Sequence, residues 1–202
     1  MLQRAQGSLT FLRPQSLRTR QTDGAARCLF QWAVIDPGDK IIDLCCGNGA
    51  LLNSISQKFD CELCGIAHTL EESREARQLL PDSDIIFALP EDIPWHNGSF
   101  DLALCGCPLA QLDHPQEALN EIMRVLKPGG GLLLAAPWYP APIRQLVNCF
   151  KTYNGASTSL YMSKDDTLDA LTKAGFDNLR WNVDHLGMAV VSAWKPRELN
   201  DA

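Results

Sequence analysis

A short apolar run from Lys40 to Leu44 delivers the chain into Cys45-Cys46-Gly47-Asn48-Gly49, after which apolar residues recur at helical spacing as Leu51, Leu52, Ile55 and Phe59. No other stretch of the sequence restricts the fold as much. A strand, glycine turn and helix in succession form half of a strand–helix–strand unit, and an apolar strand of this kind is buried only when such units stack side by side. The glycines let the backbone of the turn approach a bound molecule closely. Two familiar ligand-cradling turns fit poorly: a dinucleotide fingerprint needs a third glycine where Leu52 stands, and a phosphate-binding P-loop needs Gly-Lys-Ser/Thr.

The alternation continues. Glu62 to Ile66, Ile85 to Ala88, Leu102 to Cys105 and Leu132 to Ala135 read as strands, with helices over Glu71 to Leu80 and Pro115 to Leu126. The second of these helices stops at Lys127-Pro128-Gly129-Gly130. Upstream, Thr22 or Asp23 is a candidate N-cap for a helix that presents Ala26, Leu29, Phe30 and Ala33 and ends at Asp36-Pro37-Gly38-Asp39. Downstream, Ser163 with Asp166 marks a capped helix ending at Gly175, and the runs Leu179 to Val183 and Met188 to Trp194 read as a closing hairpin. Strands alternating with helices imply an α/β domain with a mainly parallel sheet and right-handed crossovers.

With 46% apolar residues, 202 residues suit one domain, assigned to residues 22–202. Eighteen basic against 24 acidic residues leave a net charge of −6, so nucleic acid is not the expected partner. No apolar run is long enough to span a bilayer, and a soluble, cytoplasmic protein is expected. Eight cysteines in such a setting read as free thiols. Residues 1–21 carry Arg4, Arg13, Arg18 and Arg20 without an acid, and Phe11-Leu12-Arg13-Pro14 offers apolar anchors. They read as a basic leader folded over the ligand face, with a mitochondrial transit peptide as the alternative. Residues 137–162, from Trp138-Tyr139-Pro140-Ala141-Pro142 to the polar stretch Thr152 to Ser159, read as an irregular insertion shaping a substrate pocket.

Four segments, in order, carry a family resemblance. Asp43, Gly47 and Gly49 match an Asp-x-Gly-x-Gly-x-Gly motif in which Cys45 replaces the first glycine. Glu91-Asp92-Ile93-Pro94-Trp95 is similar to Glu-Asp-Leu-Pro-Phe, and Gly98-Ser99-Phe100-Asp101 resembles the turn into a fourth strand. Glu121-Ile122-Met123-Arg124-Val125-Leu126-Lys127-Pro128-Gly129-Gly130 resembles a helix end. Together they resemble the class I S-adenosylmethionine-dependent methyltransferases of the small-molecule, type 11 kind, over about Thr22 to Pro196.

The resemblance implies a Rossmann-like, seven-stranded, mainly parallel sheet with a C-terminal antiparallel hairpin and helices on both faces. It also implies in-line transfer of a sulfonium methyl to a small or medium-sized acceptor, needing no metal and relying on proximity and orientation. Position by position, the Gly47–Gly49 backbone would hold the methionine part, Asp43 would orient the loop or the amino group, Asp92 and Ile93 would meet the adenine, and Cys105 and Gly106 would border the methyl donor, with Cys45, Asn48, Ala67, His68 and Glu91 in the same cofactor-binding set. Ala67 stands where the family carries a ribose-binding acid, so His68 or Glu71 is the candidate substitute. Leu89 replaces a second common acid, and Ala110-Gln111 replaces a common pair of histidines. These departures motivate a second reading: a cofactor-binding sensor or protein-binding relative without turnover.

Other residues have simpler roles beside sharper ones. His114 and His185 are candidate general bases, with surface histidine the plain alternative. Tyr139, Tyr153 and Tyr161 are candidate pocket residues, and Trp138 a candidate cation–π shield, although loop packing explains them equally. Arg124 and Lys127 read as partners of the helix dipole. Cys61 and Cys64, three apart on a strand, point to opposite faces. Cys45, Cys46, Cys105 and Cys107 converge at neighbouring strand ends, where small residues lining a cofactor pocket are expected and a soft metal or electrophile is the sharper alternative.

Overall fold

The structure is a computed structural model that describes residues 15–153, 161–185 and 187–197. Seven strands form one sheet: β1 (Lys40–Asp43), β2 (Glu62–Ala67), β3 (Asp84–Phe87), β4 (Phe100–Cys105), β5 (Leu126–Pro137), β6 (Asp177–Val183) and β7 (Met188–Trp194). Their order is β3-β2-β1-β4-β5-β7-β6. The first five pair in parallel and β7 joins β5 and β6 antiparallel, as the resemblance implied.

Alternation along the strands splits the core between the two sheet faces. Ile41, Leu63, Ile85, Leu102, Leu104, Leu133 and Val190 face one layer, with α1 (Gln15–Trp32), α2 (Ala50–Ser56) and α3 (Leu70–Leu79) contributing Ala25, Leu29, Leu52, Ile55 and Ala76. Ile42, Cys64, Ile66, Ala103, Leu132, Leu134 and Val191 face the other, where α4 (Pro115–Val125) and α6 (Lys164–Lys173) bring Leu119, Ile122 and Leu171. Cys64 and half-buried Cys61 fall in different layers, as their spacing predicted.

Three boundaries differ from the sequence reading. First, α1 begins at Gln15 rather than Thr22. Thr22 and Asp23 attract attention as caps, but the preceding Gln, Leu and Arg residues are good helix formers and simply extend the helix. Residues 1–14, most of the expected leader, lie outside the described residues.

Second, the stretch read as irregular contains α5 (Ala141–Tyr153). Pro142 occupies its first turn, where a missing N–H costs nothing, and Arg144 already donates to the Pro140 carbonyl at 2.9 Å. The polar stretch 154–160 lies outside the described residues.

Third, β5 starts at Leu126, directly at the end of α4, so the Lys-Pro-Gly-Gly segment is extended rather than a free turn. A Cβ on Gly130 would lie 2.9 Å from the Lys127 carbonyl oxygen and 3.2 Å from those of Phe100 and Asp101. Only glycine fits that approach. The segment is pinned where Lys127 Nζ meets both Asp101 oxygens at 2.7 and 2.9 Å, and Asp101 also accepts the Lys40 N–H at 2.9 Å.

Candidate functional site

The strand order reverses between β1 and β4, which leaves a crevice at their carboxyl ends, the place where open α/β sheets bind ligands. Gly47 (φ +52°) and Gly49 (φ +83°) both adopt left-handed conformations there. A Cβ on Gly47 would meet nothing within 4 Å, so its backbone is open to an approaching molecule. A Cβ on Gly49 would instead press on Ala76 of α3 at 3.1 Å, so this glycine packs loop against helix. Asn48 Oδ1 accepts the Ala50 N–H at 3.3 Å.

Asp43 ends β1 and is 2% exposed. Its Oδ1 accepts the Cys45 N–H at 3.1 Å, which braces the turn. Burial pushes its pKa up to about 7 against the opposing pull of that hydrogen bond. A buried acid with a raised pKa beside an open glycine loop is a candidate functional group.

Ala67 is fully buried at the end of β2 and supplies no acid. Beyond it, His68 is half-buried, Thr69 caps α3 by accepting the Glu72 N–H at 3.1 Å, and Glu71 is exposed. The acid that faces inward is Glu72. Its Oε2 is buried and has no hydrogen-bond partner, one of two such side-chain atoms among the described residues. Glu72 lies one helical turn before Ala76, the residue packed on Gly49, and therefore shares the helix face turned to the loop. Its charge also helps raise the buried Cys46 thiol, after burial itself and Asp43. The sequence contained this signal as an acid four residues before a small core residue. Sequence reasoning offers His68 or Glu71 at this place and passes over Glu72.

The Glu91-to-Asn97 segment is held from α4. Arg124 donates to the carbonyls of Trp95 (2.8 Å) and Ile93 (2.7 Å), to Asn97 Oδ1 (2.9 Å) and to both oxygens of Glu121 (2.8 and 2.7 Å). Glu121 in turn accepts the Ile93 N–H at 3.0 Å, and Arg124 holds its carboxyl below the usual range. Arg124 is thus a clamp on a loop, a role beyond the helix dipole read from sequence. The clamp leaves Asp92 exposed at the crevice edge and Ile93 buried, with Glu91 accepting the His114 N–H at 3.2 Å.

The cysteines separate. β1 ends at Asp43, and the turn that follows breaks the strand alternation. Leu44 and Cys45 therefore turn to the face of Cys105 and Cys107, whereas Cys46 turns to the other, wedged under Gly65 with its Sγ 2.9 Å from where a Cβ would be. Sequence reasoning grouped four thiols; three converge. The Sγ atoms of Cys45, Cys105 and Cys107 lie within 4.8 Å of one another, and those of Cys105 and Cys107 are 3.6 Å apart. Hydrogen bonds from Cys107 and Cys45 hold the Cys105 thiol well below its ordinary value, and the half-buried His68 lowers it further.

Gly106 faces Leu29 and Ala25 of α1, 3.5 and 3.6 Å from where its Cβ would be, so α1 covers this end of β4. Beyond Cys107 a cavity of about 50 Å³ is lined by apolar groups that include Leu109, Ala136, Trp138, Tyr161, Trp181 and Val191. Trp138 Nε1 is the second buried atom without a partner. Tyr139 stacks edge-on against Tyr161, with ring centroids 4.9 Å apart. The side chain of Tyr153 lies outside the described residues. His114 caps α4 with its side chain 65% exposed beside Glu117, and His185 is exposed in the β6–β7 turn; neither lines the cavity. A larger hollow of about 480 Å³ lies at the opposite end of β1 to β3, away from the glycine loop and Asp43.

Comparison with known proteins agrees with this layout. Residues 42–134 match a family model described as a methyltransferase domain. An uncharacterized methyltransferase of Synechocystis sp. is 28% identical over 154 residues, 72% of this chain and 70% of that protein. A ubiquinone/menaquinone biosynthesis C-methyltransferase of Ruegeria sp. is 31% identical over 118 residues, 52% of this chain and 45% of its own length. The chain thus spans less than half of that relative. Among solved structures, a chain of the Haloferax volcanii complex between the Trm112 methyltransferase activator and a candidate methyltransferase superimposes with a TM-score of 0.75 at 18% identity, covering 91% of this chain and 93% of that one. The chain thus has the fold of these methyltransferases, and residues 42–134 are similar to a methyltransferase domain.

Proposed function

We propose that this chain binds S-adenosylmethionine in the β1–β4 crevice and transfers its methyl group to a small or medium-sized acceptor. The observation that carries the reading is the open, left-handed Gly47 beside a buried Asp43 at the switch point of the sheet. When bound, the cofactor supplies an electrophilic methyl on a sulfonium centre. The residues present suit such a guest. The Gly47–Gly49 backbone receives the methionine part, and Asp43 both braces the turn and offers a carboxylate to the amino group. Glu72, with its unpartnered oxygen, takes the ribose role that Ala67 cannot fill. Asp92 and Ile93 border the adenine, and Cys105 and Gly106 border the methyl. Catalysis then rests on alignment, with the acceptor's apolar part seated between Trp138 and Tyr161.

The compartment consistent with this reading is a reducing cytoplasm, in which the eight free cysteines stay reduced. A protein partner is compatible with it, since a structural neighbour is a complex with an activator. Titration calorimetry with S-adenosylmethionine and S-adenosylhomocysteine tests the proposal, and no heat with either ligand overturns it. Binding of both without turnover on any acceptor of a broad panel supports the sensor reading instead, for which the missing acid at Ala67 is the motive.

A further inference from the structure

We propose that Cys45, Cys105 and Cys107 form a three-thiolate site for a thiophilic divalent metal ion of the zinc class. This site borders the proposed cofactor crevice and shares Cys45 and Cys105 with it, and the inference stands whether or not the chain transfers methyl groups.

Geometry carries it. A metal ion bonded to sulfur at about 2.3 Å sets the sulfurs about 3.8 to 4.0 Å apart, in tetrahedral or trigonal arrangement respectively. Here one pair is at 3.6 Å and all three atoms fall within 4.8 Å, so small side-chain rotations close the triangle. Two of the ligands come from the end of β4 and one from the turn after β1, elements fixed by the parallel register Asp43 to Leu104. Three ligands on a braced sheet edge need little ordering to bind.

The donor set chooses the ion. The group contains three sulfurs and no carboxylate or imidazole, so magnesium and calcium, which take oxygen ligands, are poor fits. Soft thiolates favour zinc and its heavier congener cadmium. Binding replaces three S–H protons by three metal–sulfur bonds, releases the protons to solvent, and leaves a complex of charge −1 for a divalent ion. No oxidant or reductant is involved.

Cys105 is 1% exposed, but Cys45 and Cys107 are only half-buried, and Cys107 borders the apolar cavity. A fourth ligand, a water or a thiol-bearing small molecule, reaches the ion from that side. Three protein ligands with one open position describe a reactive site rather than a closed structural one.

The test uses the full, reduced protein titrated with cadmium chloride and followed by the ultraviolet thiolate-to-cadmium charge-transfer band. One equivalent should saturate the band. Cys107→Ser, at a half-buried position, should remove it at stoichiometric metal while the far-ultraviolet circular dichroism stays unchanged, and Cys61→Ser should leave it intact. In the unmutated protein, zinc or cadmium should protect Cys45 and Cys107 from alkylation, read by mass spectrometry, while exposed Cys149 reacts at its metal-free rate. The alkylation readout needs no variant to fold. The proposal is overturned if no band forms, if the band survives in Cys107→Ser, or if metal leaves Cys45 and Cys107 as reactive as before.

Discussion

Two acid-bearing regions flank the crevice and are built on opposite terms. In the Glu121–Arg124 clamp, both carboxylate oxygens and all three guanidinium nitrogens of Arg124 are engaged, and three backbone groups of the Ile93–Trp95 segment are tied in. Across from it, Asp43 is fully desolvated with one backbone donor, and Glu72 keeps a buried oxygen with no partner. A satisfied network fixes the scaffold, whereas buried polar groups left short of partners cost stability and persist where a ligand completes them. The first region therefore serves folding, and the second is the one we propose for binding.

The largest loss of stability should come from breaking the clamp. Arg124→Met removes five hydrogen bonds and leaves Glu121 part-buried beside an apolar chain, so urea unfolding should show a loss of about 2 to 3 kcal/mol. If the variant unfolds at the same urea concentration as the parent, the region is not the scaffold described above.

Asp43→Asn should act in the opposite sense. The folded-state pKa of Asp43 is about 7 against an ordinary 3.8, so folding takes up a proton between those values. The group's contribution to stability is therefore most favourable below about pH 4, declines as pH rises to about 7 and is flat above. Asparagine keeps an oxygen for the Cys45 N–H and carries no charge to desolvate. At pH 8 the variant should gain up to about 2 to 4 kcal/mol by thermal denaturation, and the gain should vanish near pH 4. Cofactor affinity should fall in the same variant. A variant less stable than the parent at pH 8 contradicts the desolvated state of Asp43.

The sheet was legible in the sequence because most strands are apolar runs bounded by a turn or capped helix, while β6 alternates apolar Leu179, Trp181 and Val183 with polar residues, and the direction of the chain followed from helices lying between strands. Local competition hid the rest. Pro140 and Pro142 suggested irregular chain, although prolines also suit the first turn of α5. The thiol site was half legible: strand adjacency placed Cys45 near Cys105, but the turn after Asp43 decided that Cys45, and not Cys46, faces it. Glu72 was passed over beside His68 and Glu71 because the sequence did not show which face of α3 turns to the glycine loop, and adjacent residues on a helix lie about 100° apart.

Glu72→Gln sharpens the binding side with a smaller effect. The substitution keeps size and removes the charge, and since no protein group pairs with Oε2, stability should change by no more than about 0.5 kcal/mol. Affinity for S-adenosylhomocysteine should fall by about tenfold, the worth of one charge-assisted hydrogen bond to a ribose hydroxyl. Unchanged calorimetric affinity removes Glu72 from the site and leaves the ribose without an acid.

The smallest effect belongs to His114→Gln. The side chain is 65% exposed, its ion-pair partner Glu117 is 66% exposed, and its backbone rather than its imidazole holds Glu91. Stability and cofactor affinity should both stay within experimental scatter, because exposed pairs of this kind contribute little. Turnover is the informative readout once an acceptor is found. A variant that binds cofactor normally yet loses its activity would make His114 the general base and extend the site outward along the clamp. Full activity would instead confine the chemistry to the crevice, where the groups without partners already are.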